Sequence, residues 1–94
     1  MEVFVPLRGA ADAGYLRALE QELLDRFGGV TSFSRAPARG RWIDGGPPET
    51  DDVVIFQVMT SGLDRSWWAG LRARLERELD QKEILIRAQP IERL

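Results

Sequence analysis

Apolar residues recur along this chain with two periods, and the changes from one period to the other mark six elements. "EVFVPL", Glu2–Leu7, is rich in Val and Phe and predicts a strand. Residues 8–11, with Gly9, read as a turn, and Asp12 reads as a helix N-cap. From there "AGYLRALEQELLDRF" sets Leu16, Leu19, Leu23 and Phe27 at helical spacing, with charges on the opposite side. Gly28 stands where a helix ends in left-handed backbone. "VTSFSR" is β-branched and aromatic with serines on alternate positions, and predicts an edge strand. Residues 37–52 hold three prolines and three glycines and read as a long loop. "DVVIFQVMT" is the most apolar run and predicts a central strand. Ser61 or Asp64 caps a second helix, "RSWWAGLRARLERELDQK". Its apolar stripe is Trp67 or Trp68, Leu71, Leu75 and Leu79, and Glu78–Lys82 is an i,i+4 ion pair on it. "EILIRA" is a last strand, stopped by Pro90.

The order β-α-β-β-α-β is the split βαβ, or ferredoxin-like, pattern. It predicts an α+β sandwich with a four-stranded antiparallel sheet and both helices on one face, as a single domain over residues 1–94. Strands one and three should be central, and two and four should be edges. Pro6 strains this reading, because proline removes a ladder donor from a strand that should be paired on both sides.

Alternation assigns the faces. Val3, Val5 and Leu7 point one way, with Val54, Phe56, Val58, Ile84 and Ile86, and should lie under the helices. The other face carries Phe4, Phe33, Val53, Ile55, Met59 and Leu85 beside Glu2, Arg35, Gln57, Glu83 and Arg87. Such a face is too apolar to stand in water and too polar for a dry core. Packing on a second copy is the first reading, with Phe4, Phe33, Ile55, Met59 and Leu85 as the interface. A pocket enclosed on that face is the second, with Gln57, Arg35 and Arg87 as its polar contacts.

Composition narrows the chemistry. At 94 residues the core is thin: a chain this short buries about 60–65% of the surface it exposes when unfolded. Thirteen basic and fifteen acidic side chains give no general attraction to nucleic acid or to an anionic membrane. The chain has neither cysteine nor histidine. That removes thiol chemistry, the Ser-His and Cys-His nucleophile systems, and histidine ligation of metal or haem. No metal or other cofactor is expected. "MEVFVPLRG" lacks the pattern of a signal peptide, and no run reaches membrane-spanning length, so a cytoplasmic location is expected.

Arg35, Arg39 and Arg41, with Trp42, offer guanidinium forks and an indole suited to an anionic ligand. The plainer reading is a loop whose arginines pair with Asp44, Glu49, Asp51 and Asp52. Adjacent Asp51 and Asp52 diverge on an extended backbone and make no carboxylate dyad. Gly28-Gly29 precedes a strand and is no phosphate loop.

The element order, with "FGGVT" and "VMT…WW…LE…IRA", resembles small uncharacterised bacterial proteins of ferredoxin-like or dimeric α/β-barrel type. The resemblance implies a homodimeric small-ligand-binding or interaction domain that uses the open sheet face. It implies, as the alternative, a cofactor-independent enzyme, monooxygenase- or isomerase-like, acting on a small aromatic or anionic molecule. No catalytic residue set transfers to this sequence.

Overall fold

The computed structural model describes residues 1–7, 10–35 and 52–94. Their order is β1 (Glu2–Leu7), α1 (Ala10–Phe27), β2 (Thr31–Arg35), β3 (Asp52–Gln57), α2 (Arg65–Glu78) and β4 (Leu85–Arg87). The strands form one antiparallel sheet in the order β2-β3-β1-β4. The chain is therefore α+β, with β1 and β3 inside the sheet and β2 and β4 at its edges.

The inward positions of the sheet meet the apolar stripes of both helices. Val3, Val5, Val54, Phe56, Val58 and Ile84 form one buried cluster with Leu16, Leu19, Leu23, Trp68, Leu71 and Leu75. Phe27 and Leu79, the last members of the two helical stripes, pack on its rim. Of the adjacent tryptophans, Trp68 is buried and Trp67 half-buried. Phe27 stacks on Trp68 and meets Trp67 edge-on, which joins the end of α1 to the start of α2.

Local signals set most of the ends. Gly28 has φ +78°, and its N–H donates to the Leu24 carbonyl at 2.8 Å, closing α1 with the conformation glycine adopts without cost. Asp64 caps α2, its carboxylate accepting from the Trp67 N–H at 3.0 Å. Two expectations are corrected. Helix α1 opens at Ala10, so Asp12 sits in its first turn and does not cap it. Two alanines, the strongest helix formers, carry the helix back past it. Helix α2 stops at Glu78, and Asp80 turns left-handed at φ 51°, so Glu78 and Lys82 share no helical face. Glu78 instead accepts a hydrogen bond from the Tyr15 hydroxyl on α1.

The strain at Pro6 resolves in the register. Met1 and Val58 exchange both backbone hydrogen bonds, at 2.8 and 3.0 Å. An antiparallel ladder alternates, so odd residues of β1 bond to β3 and even residues turn toward β4. Pro6 thus presents its missing donor on the β4 side, where pairing ends at Phe4↔Leu85. The same alternation turns the Ile84 and Ile86 backbone groups to the outer edge of β4. There the Glu76 carboxylate accepts from the Ile84 N–H at 3.0 Å.

Candidate functional site

Register converts the face turned away from the helices into three rungs that run across the strands. The first holds Thr31, Gln57, Glu2 and Arg87, one from each strand. The second holds Phe33, Ile55, Phe4 and Leu85. The third holds Arg35, Val53 and Pro6. One polar rung and one apolar rung therefore lie side by side.

In the apolar rung the edge residues Phe33 and Leu85 are 48% and 52% exposed, while Phe4 and Ile55 are half-buried between them. Met59, just past β3, is 58% exposed. In the polar rung the Arg87 Nε donates to the Glu2 carboxylate at 2.8 Å. The same guanidinium lies 5.0 Å from the centre of the Phe4 ring, a cation–π distance. Arg87 is thus held by an acid and an aromatic of β1, and Gln57 sits across Glu2 on the other side. An exposed pair of this kind contributes less than about 1 kcal/mol to stability but fixes a direction of charge across the rung.

Of the candidate ligand contacts, Gln57 and Arg87 share the polar rung, flanking Glu2. Arg35 does not join them. Its register position is at the opposite corner, about 13 Å along the strands and about 14 Å across them from that of Arg87. Arg39, Arg41 and Trp42 lie outside the described residues, as does the loop to which they belong. The expected interface residues Phe4, Phe33, Ile55 and Leu85 do form one patch, with Met59 beyond the Gln57 end of β3.

Beyond the Gln57 end of the sheet is a hollow of about 550 Å³, between the turn after β3 and the segment after β4. Met59, Leu63 and Ile91 line it. Periodicity gave no sign of it, because its walls are irregular segments that meet only after folding. Also unsignalled are the links between the helices: Tyr15 to Glu78, and the Arg74 guanidinium donating to Glu22 at 2.6 Å. That contact raises the Arg74 pKa further, and burial with the Glu78 hydrogen bond pushes Tyr15 up to about 12. Arg26 lies 4.3 Å from the centre of the Trp67 ring, and its guanidinium is 4.0 Å from the Asp64 carboxylate.

Among the described residues, no group of three or more His, Cys, Asp or Glu side chains is placed to hold a metal ion. No described helix is long and apolar enough to cross a membrane. No protein-family model, curated protein or solved structure matches the chain.

Proposed function

We propose that this chain is a ferredoxin-like domain that works as a homodimeric interaction module, burying its open sheet face against a second copy. The β-α-β-β-α-β order and the interior position of β1 and β3 support the fold name. The observation that carries the functional reading is the apolar rung, which alternates ring and aliphatic chain: Phe33, Ile55, Phe4, Leu85.

Two sheets stacked face to face hold their strands within about 30° of each other. A two-fold axis parallel to the strands lays the rung on its own reverse. Phe33 then meets Leu85 of the second copy, and Ile55 meets its Phe4. Every ring faces an aliphatic chain. The same axis sets Glu2 over Gln57 of the second copy and Arg87 over its Thr31, with no like charges opposed. An in-plane axis across the strands fits worse, because it sets Glu2 over Pro6 and Gln57 over Val53, leaving polar groups against apolar ones. Self-complementarity of this kind is what an isologous contact requires.

Light scattering behind a sizing column tests the reading. At tens of micromolar the expected mass is twice that of the chain. Ile55→Asp, at the centre of the rung, and Leu85→Lys, at its exposed edge, should each return the monomer with an unchanged circular dichroism spectrum. A monomer mass for the unmodified chain at that concentration overturns the proposal.

A further inference from the structure

The hollow at the sheet end continues around Met1, Leu63 and Ala88 into a smaller one of about 220 Å³, on the helix side of β4. The two differ in chemistry. The larger has an apolar floor of Met59, Leu63 and Ile91, each 42–64% exposed. The single acid on its wall, Glu2, is already paired with Arg87. The smaller is walled by one face of α2, on which Arg65, Trp68, Ala69 and Arg72 stand at i, i+3, i+4 and i+7. It has two guanidinium groups and no acid, in a chain whose net charge is −2. Among the described residues neither Arg65 nor Arg72 has an ion-pair partner. Opposite them runs the outer edge of β4, where, among the described residues, the ladder leaves the Ile86 N–H without a strand to bond.

From this we infer a binding site for a small amphiphilic anion. The apolar body lies over Met59, Leu63 and Ile91, and an ionised carboxylate or phosphate head is held by Arg65 and Arg72, with the Ile86 N–H as a further donor. The volume of the larger hollow falls within the roughly 300–1,000 Å³ range of small-molecule pockets. Guanidinium groups with no internal partner are the donors such a head recognises. The contacts on which the inference rests, Arg65, Arg72, Leu63 and Ile91, are not on the rungs proposed to pair. Glu2 and Gln57 belong both to the wall of the larger hollow and to the polar rung, so a monomeric variant is needed to separate the two proposals.

Octanoate at submicellar concentration is the probe, measured by titration calorimetry on the whole chain and repeated on the monomeric Leu85→Lys variant. Acetate isolates the head and octanol the tail. Octanoate should bind to both forms of the chain, at least about tenfold more tightly than octanol or acetate. Arg65→Gln with Arg72→Gln, both at exposed positions, should weaken octanoate by about tenfold and leave octanol unchanged. Leu63→Ser should weaken octanoate and octanol together. Equal affinity for octanoate and octanol, an unaltered octanoate constant in the double arginine variant, or no octanoate binding overturns the inference. So does co-sedimentation with phosphatidylglycerol vesicles in the absence of octanoate binding, which would make the arginines a membrane-surface patch. Loss of binding in Leu85→Lys alone also overturns it, because the site would then depend on the second copy.

Discussion

Phe56 and Ile55 are neighbours on β3, yet they live in different solvents. Phe56 points under the helices and is 1% exposed, in the buried cluster that also holds residues of α1 and α2. Ile55 points the other way into a row that, among the described residues, its strand neighbours alone flank. The two faces of the sheet are built from the same strands with comparable apolar content. They differ in what lies over them. The covered face has no charged member among its described buried residues, whereas the open face sets a Glu–Arg pair in the rung beside its apolar one. A charge pair tolerates water or a wet interface and is costly in a dry core. Its presence suits the proposed contact with a second copy better than a dry core would.

Truncation should break that comparison open. Phe56→Ala should cost about 3–5 kcal/mol, because it removes a buried ring and leaves a cavity. Urea melts measure it, and a loss below about 1 kcal/mol would mean that this face is not the core. Leu85→Ala, on the open face, should cost less than about 1 kcal/mol at dilutions where the chain is monomeric. Its effect should grow with protein concentration, as the dimer's contribution enters by mass action. A cost that is large and independent of concentration would assign Leu85 to the fold and not to association.

The smallest effect probes the rim between the helices. Tyr15 is the sole tyrosine, so the pH-dependent change in near-ultraviolet absorbance reports its ionisation over the constant background of the three tryptophans. Burial and the hydrogen bond to Glu78 push its pKa from 10.0 to about 12. The folded value lies above the unfolded one. The stability linked to it is therefore present below pH 10 and is lost as pH rises from 10 through about 12. Glu78→Gln, which removes the carboxylate charge, should bring the midpoint down. A midpoint near 10 in the unmodified chain would mean that the helix-to-helix hydrogen bond is absent in solution.

Much of this fold was legible because the signals were local. The bounds of β1, the cap at Asp64, the stop at Gly28 and the two faces of β3 all follow from neighbours within four residues. The failures had distant causes. Three residues of β4 pair where six read as strand, and Pro6 on β1 ends that pairing from across the sheet. Arg35 and Arg87 both belong to the open face by alternation, and only register separates them to opposite corners. The trough takes its walls from residues 59–63, 88–91 and α2, which no period in the sequence relates.

The bond between Met1 and Val58 spans 57 positions, and the one between Glu2 and Arg87 spans 85. Strand β1 is the hinge of this topology in time as well as in space. On a growing or refolding chain it waits for partners that arrive last, while α1 closes with contacts of its own. Topologies dominated by such distant pairings fold slowly for their size. Until β3 and β4 arrive, β1 shows two bare edges to other chains, and Pro6 withholds a donor from one of them. A residue that looks like a flaw in the finished sheet is also one donor fewer for another chain to pair with during assembly.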